Sequence, residues 1–170
     1  QQPAEPSAMP AVSERPQDSA EESIPEEDTE SWYTFDAATG TITGYQEYHA
    51  FLEIPASIGG VPVKAIGEAA FKSGYSVYGV VFPEGLERIE TSAFERASNI
   101  DYIQFPSTLR IIGDYGFFNV GAAYIGWSEG LEEIGAYAFQ YSRGTVLTLP
   151  STVKTIGESA FESSEMNELY

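Results

Sequence analysis

The chain has no cysteine, only eight basic residues and a single histidine, His49. Without cysteine it has neither disulfides nor thiolate metal sites. Its 26 acidic residues give a net charge of −18, so nucleic acid and anionic membrane surfaces would be repelled. No apolar run approaches the roughly 20 residues that span a bilayer. We therefore expect neither a nucleic-acid partner nor membrane insertion.

Groups that do chemistry are scarce as well. Catalysis requires convergent side chains with perturbed pKa values, and His49 has no partners at a recognisable spacing, which is typical of a solvated turn residue. Paired carboxylates such as Glu132-Glu133 fall on a predicted exposed face, and no D-x-D-x-D-G calcium loop is present. The glycines do not form a G-x-G-x-x-G phosphate motif. We expect no enzyme activity, and no catalytic residue, metal or cofactor.

Residues 1–30 differ in composition from the rest of the chain. They contain five prolines, nine acidic residues and no aromatic residue. Such a segment has too little to bury to offset the entropy of ordering it. We therefore expect a disordered acidic linker at 1–30 and one folded domain at 31–170, with a docking tail as the other interpretation of the linker.

One phrase recurs five times in the folded part. It reads KAIGEAAF, RIETSAF, IIGDYGFF, EIGAYAF and TIGESAF, and its isoleucines and phenylalanines both step by 23, 23, 22 and 22 residues. Repetition at a period of 20–29 residues is typical of a solenoid whose coils stack on a shared core. The isoleucines are Ile66, Ile89, Ile112, Ile134 and Ile156, and the phenylalanines are Phe71, Phe94, Phe117, Phe139 and Phe161.

Each coil begins with a short strand that mostly ends in proline. Alternation along the strand predicts which residues face the core: Val80, Phe82, Ile103, Phe105, Ile125, Trp127, Leu147 and Leu149. After the isoleucine, most coils have a glycine (Gly67, Gly113, Gly135 and Gly157), where either a positive φ or a close backbone contact is expected. Glu90 takes that place in the second coil.

Two β-rich runs, 31–35 and 41–45, flank a short turn that ends in Gly40. They predict a β-hairpin. Since a solenoid requires its first coil to be covered, we interpret residues 31–50 as an N-terminal hairpin cap and residues 51–170 as the repeats.

The phrase P-x-x-L-x-x-I-G-x-x-A-F, followed by an L-x-x-I-x-I-P strand, resembles the BspA-type leucine-rich repeat of bacteria. Members often carry cysteine after the Phe, whereas this chain has Gly74, Ala97, Val120, Ser142 and Ser164. The resemblance implies a mainly β, right-handed leucine-rich-repeat solenoid of about five coils of 22–23 residues. It also implies a secreted or surface-attached protein without enzymatic activity, some of whose relatives are adhesins.

The candidate binding surface is the outward side of the strand ladder. Alternation places Val81, Tyr102, Gln104, Tyr124, Val146 and Thr148 there, besides two glycines. Tyr102 and Tyr124 occupy equivalent positions on adjacent coils, so they should lie about 5 Å apart. An amphipathic strip of this kind is typical of protein interfaces, and simple stacking that stabilises the sheet is the alternative.

Two functions remain open. The first is an extracellular adhesion module that binds protein or glycan on host or neighbouring cells through this strip. The second is a structural spacer that presents another domain of a larger surface protein. Because the chain opens on Gln1, we expect that a signal peptide has been removed. Because it stops inside a sixth strand without an evident cap, we expect further repeats in the native protein, end-to-end self-association through the uncapped C-terminus, or a frayed terminus.

Overall fold

The computed structural model of the protein describes residues 29–47, 49–74, 76–144 and 148–164. Within these ranges the chain forms one 3-10 turn, Thr29–Trp32, thirteen short β-strands and no α-helix, so the prediction of a mainly β fold is confirmed. The strands are β1 Tyr33–Asp36, β2 Thr41–Tyr45, β3 Phe51–Glu53, β4 Ser57–Ile58, β5 Val61–Pro62, β6 Ala65–Ile66, β7 Gly79–Val81, β8 Arg88–Ile89, β9 Tyr102–Gln104, β10 Ile111–Ile112, β11 Tyr124–Gly126, β12 Glu133–Ile134 and β13 Thr155–Ile156.

Successive coils pair through two parallel ladders. Among the described residues, one sheet has the order β1-β2-β6-β8-β10-β12-β13 and another has the order β11-β9-β7-β3. The register places Ile66 opposite Ile89, Ile89 opposite Ile112, and so on to Ile134 and Ile156. The repeated phrases therefore stack coil on coil, as the sequence period predicts, and the protein is a β-solenoid. The right-handed winding stays a prediction.

The predicted hairpin is present as antiparallel β1 and β2. Strand β2 also pairs in parallel with β6, which sets Ile42 opposite Ile66. Ile42 is fully buried, so the hairpin extends the isoleucine column by one position. It occupies the N-terminal end of the seven-stranded sheet, which is where a cap is expected.

A column of stacked phenylalanine rings runs through the core. The rings of successive coils stack with their centroids 4.8, 5.0, 5.2 and 5.5 Å apart, and no pair departs from parallel by more than 9°. These rings belong to Phe71, Phe94, Phe117, Phe139 and Phe161. The predicted inward residues Val80, Phe82, Ile103 and Phe105 are also buried. Ile125, Trp127 and Leu149 are half-buried against the core, and Leu147 lies outside the described residues.

The glycines after the isoleucines are explained by close contact and not by positive φ. A Cβ on Gly113 would lie 2.8 Å from the Thr91 backbone nitrogen, and one on Gly135 would lie 2.5 Å from the Asp114 nitrogen. Positive φ occurs instead two and six positions after each of these glycines, and after Glu90 in the second coil. None of the residues at those positions is glycine. They are Ala69, Ser73, Ser92, Arg96, Tyr115, Asn119, Tyr137, Tyr141, Ser159 and Ser163, with φ between 52° and 61°.

A column of alternating charge follows the seven-stranded sheet. Its members are one coil apart: Lys64, Glu87, Arg110, Glu132 and Lys154. Lys64 Nζ lies 2.8 Å from Glu87 Oε1, and Lys154 Nζ lies 2.7 Å from Glu132 Oε2. Backbone hydrogen bonds join every neighbouring pair in the column, for example from the Arg110 N–H to the Glu87 carbonyl at 2.9 Å. Even and odd coils thus carry opposite charge at this position.

Candidate binding faces

Tyr102 and Tyr124 lie together on the outside of the four-stranded sheet, as predicted. They are direct partners in the β9–β11 register. Their rings stack with centroids 5.0 Å apart and planes within 8°, and the residues remain 36% and 52% exposed. Stacked aromatics that still face solvent have apolar area left for a partner.

Phe51 extends this surface, and the sequence reasoning missed it. Phe51 is 69% exposed and pairs with Gly79, which in turn pairs with Tyr102. A Cβ on Gly79 would lie 2.5 Å from Phe51 Cε1, so the ring covers the glycine. Phe51, Tyr102 and Tyr124 therefore share one register position, and we call them the aromatic strip. Because Leu52 points inward, alternation already placed Phe51 outward.

The other predicted strip residues contribute differently. Val81 and Gln104 are half-buried beside the aromatic strip. Gln104 Nε2 donates to the Gly126 carbonyl at 3.3 Å, so this side chain is folded over the next coil. Thr148 is exposed but belongs to no described strand, and Val146 lies outside the described residues.

A second aromatic surface lies on the turns that follow the isoleucines. Tyr115 and Tyr137 stack with centroids 4.9 Å apart, and Tyr115 and Tyr141 each meet Phe118 edge-on at 5.7 and 5.6 Å. Tyr141 is 52% exposed. We call this surface, made of Tyr115, Phe118, Tyr137 and Tyr141, the turn face. Three of its four residues have left-handed backbone, a conformation that the glycine pattern does not reveal.

Beside the turn face is a pocket of about 410 Å³, the turn-face pocket, lined by Arg96, Phe118, Asn119, Tyr141, Arg143 and Ser163. Another pocket of about 500 Å³ lies between the hairpin and the first turn, against Tyr45 and Lys72 among others. The Lys72 ammonium is held there by Glu95, with Nζ 2.9 Å from Oε2. The two pockets differ because, within the described residues, no carboxylate forms so short an ion pair with either arginine of the turn-face pocket.

His49 makes contacts within the fold, contrary to the prediction that it is a solvated turn residue. Its ring stacks on Trp32 at 3.8 Å, and its Nδ1 lies 2.9 Å from the Tyr45 hydroxyl. These contacts join the hairpin to the segment before β3. Burial raises the pKa of that tyrosine.

The glutamates whose pKa values are lowered also have partners within the fold. Lys64 and Lys154 lower the pKa values of Glu87 and Glu132, and the Ser107 N–H lowers that of Glu84. In the described part of the chain, no three His, Cys, Asp or Glu residues are grouped to hold a metal ion. The same residues contain no helix long and apolar enough to cross a membrane.

Comparison with known proteins agrees with this geometry. Residues 64–170 match the family described as BspA type leucine rich repeat region, in six copies. The chain belongs to this family. Six copies are one more than the five phrases that the sequence shows by eye. Among curated proteins, none matches the chain significantly.

Solved structures show the same fold. The chain is 26% identical to the leucine rich repeat protein of T. pallidum, with a TM-score of 0.72 over 81% of this chain and 66% of that one. A leucine-rich repeat protein from Bacteroides ovatus is also 26% identical, with a TM-score of 0.68 over 81% of this chain and 38% of that one. The chain thus spans less than two thirds of the length of either protein.

A leucine rich cell surface protein from Faecalibacterium prausnitzii is 19% identical to the chain. Its TM-score is 0.50 over 81% of this chain and 52% of that one. At this identity the likeness concerns the fold alone.

Proposed function

We propose that residues 31–170 form a non-enzymatic recognition module of a secreted or surface-attached protein, which binds a partner protein through the aromatic strip. The predicted linker at residues 1–30 would then be a tether for it; residues 1–28 lie outside the described residues, and Thr29 and Glu30 already belong to the 3-10 turn. Membership of the BspA-type family supports the surface location. The observation that carries the binding proposal is the exposure of Phe51, Tyr102 and Tyr124 at one register position.

The strip suits a protein partner for energetic reasons. Tyrosine is enriched among the few interface residues that supply most of the binding free energy. Tyr102 and Tyr124 are already ordered by stacking on each other, so little side-chain entropy is lost when a partner covers them. The partner surface should be apolar with few acidic groups, because the chain has a net charge of −18 and like charges repel.

The test is binding to a panel of matrix and cell-surface proteins, with Tyr102→Ala/Tyr124→Ala compared with the unmodified chain. We expect affinity to fall by about tenfold to a hundredfold. Tyr115→Ala/Tyr137→Ala is the matched control, because it removes another stacked tyrosine pair from the turn face. The strip would be removed from consideration if both double variants lost affinity equally or if neither lost any. A glycan array run in parallel distinguishes a sugar ligand from a protein.

The alternative function is a structural spacer that displays another domain. It is favoured by the regular stacking of the coils, which needs no ligand to explain it. The full gene discriminates between the two, because an adjoining catalytic or adhesion domain would favour the spacer. Intact partner binding by the isolated repeats would favour recognition.

End-to-end self-association stays a prediction. Ile156, in the last described strand, is 48% exposed, whereas Ile134 in the same column is 1% exposed. Light scattering over a concentration series tests it, and a monomer at every concentration would count against it.

A further inference from the structure

The arginines of the turn-face pocket differ from the other cations of this acidic protein. The described ranges contain seven basic side chains, and six of them have acidic neighbours. Four have a carboxylate oxygen within 2.9 Å, and Arg110 helps to lower the pKa values of Glu87 and Glu132 on either side of it. The four paired cations are Lys64, Lys72, Arg88 and Lys154.

Arg96 shares its acidic neighbour with a lysine, and Arg143 has no ion pair with any described residue. Arg96 Nε lies 3.7 Å from Glu95, a carboxylate that Lys72 already holds at 2.9 Å. Within the described residues no carboxylate forms an ion pair with Arg143. Both arginines line the same pocket. In a chain with three acids for every base, two such cations at one site mark a place for an external anion.

The pocket is an open, largely polar depression with the volume of a small-molecule site. Its volume of about 410 Å³ lies within the range of ~300–1,000 Å³ that such sites occupy. A depression of about 170 Å³ adjoins it through Asn119 and Arg143, so a ligand longer than one unit has room to continue.

The fold holds these side chains in fixed relation. Arg96, Asn119, Tyr141 and Ser163 take equivalent left-handed positions on successive coils, with φ of 61°, 55°, 60° and 54°. The Arg96 N–H donates to the Phe118 carbonyl and the Asn119 N–H to the Gln140 carbonyl, both at 2.8 Å. Because the backbone is hydrogen-bonded from coil to coil, the backbone beneath the pocket is in place before any ligand arrives, and only side chains remain to be ordered on binding.

The chemistry of the lining selects the ligand. A guanidinium group binds a carboxylate through two parallel hydrogen bonds. The rings of Tyr141 and Phe118 offer an apolar π surface to the C–H face of a sugar ring, while Asn119 and Ser163 supply donors and acceptors for hydroxyl groups. A polymer with many charges would be repelled by the net charge of −18. We propose that the turn-face pocket binds a carboxylate-bearing sugar unit of a glycan.

Isothermal titration of the full chain with matched glycosides tests this proposal. Methyl glucuronide and the methyl glycoside of N-acetylneuraminic acid are the acidic probes, and methyl glucoside differs from the first only at the carboxylate. We expect at least one acidic probe to bind at least about tenfold more tightly than methyl glucoside, as one charge-assisted hydrogen bond predicts. Arg143→Gln and Tyr141→Ala should each weaken that binding about tenfold.

Two controls define the site. Arg88→Gln makes the same charge change at an exposed arginine paired with Glu90 and should leave binding unchanged. Tyr102→Ala/Tyr124→Ala should also leave it unchanged, which separates this site from the aromatic strip. The proposal is overturned if neither acidic probe binds, if methyl glucoside binds equally well, or if Arg143→Gln behaves like Arg88→Gln. Equal competition by acetate would identify a site for free anions only and would overturn it as well.

Discussion

The rings of Phe94 and Phe117 lie 5.0 Å apart and within 2° of parallel, although they belong to different coils. Both are fully buried. Phe94→Ala should therefore lower the free energy of unfolding by about 3–5 kcal/mol, because it removes buried area and opens a cavity between two rings. Denaturant titration measures this, with Phe51→Ala as the control at a 69% exposed ring. Similar losses in the two variants would contradict the stacked core.

The alternating charge column predicts a register-specific effect of salt. Glu87→Lys would place like charges on three neighbouring coils, between Lys64 and Arg110. Glu68→Lys makes the same change of net charge at an exposed residue outside the column. We expect Glu87→Lys to be less stable than Glu68→Lys by about 0.5–1 kcal/mol at low salt. The difference should shrink at 1 M salt, because screening weakens exposed charge pairs, and a difference unchanged by salt would argue against the column.

Stability should fall as the pH drops below about 4.5. The pKa values of Glu84, Glu87, Glu95 and Glu132 are lowered below 4.5 in the folded protein by hydrogen bonds and by lysine partners. The unfolded chain therefore binds more protons in that range. The contribution of these groups is complete above about pH 4.5 and is lost as the pH falls through their lowered values. Thermal melts at stepwise lower pH measure this, and Glu84→Gln should flatten the dependence.

Close approach of the coils at the glycine column gives a further prediction. A Cβ on Gly113 would meet two backbone atoms, Thr91 N at 2.8 Å and Glu90 C at 2.9 Å. Gly113→Ala should therefore cost about 1–3 kcal/mol, as overpacking does. Gly44→Ala is the control, since its nearest contact is ordinary, at 3.4 Å from Thr34 Oγ1. Equal melting temperatures for the two variants would show that the coils separate freely at Gly113.

Much of this fold could be predicted because the period fixes register. Once Ile66, Ile89 and Ile112 align, alternation along each strand assigns inside and outside, which is how Tyr102 and Tyr124 were found. Phe51 was accessible to the same reasoning, and so was the charge column, which follows the same 22- and 23-residue steps. Both follow from the geometry of a solenoid, in which equivalent residues of neighbouring coils always lie one coil apart.

The turn face could not be predicted in the same way. Its backbone passes through left-handed residues such as Tyr115, Asn119 and Tyr141, where neither strand alternation nor helical periodicity gives the direction of a side chain. Glycine usually indicates left-handed backbone, but the glycines that follow the isoleucines mark close contact between coils instead. The pocket that holds Arg96 and Arg143 therefore becomes visible only in three dimensions.

The most direct measurement concerns the register that aligns Tyr102 with Tyr124. The chain has no cysteine, so Tyr102→Cys/Tyr124→Cys can be labelled with pyrene without background. Partners in adjacent parallel strands are about 5 Å apart, so we expect strong excimer emission. Tyr102→Cys/Lys154→Cys, in which the second residue lies beside β13 of the other sheet, should give monomer emission only. Monomer emission from the first pair would contradict the stacking of coils on which both proposed binding sites depend.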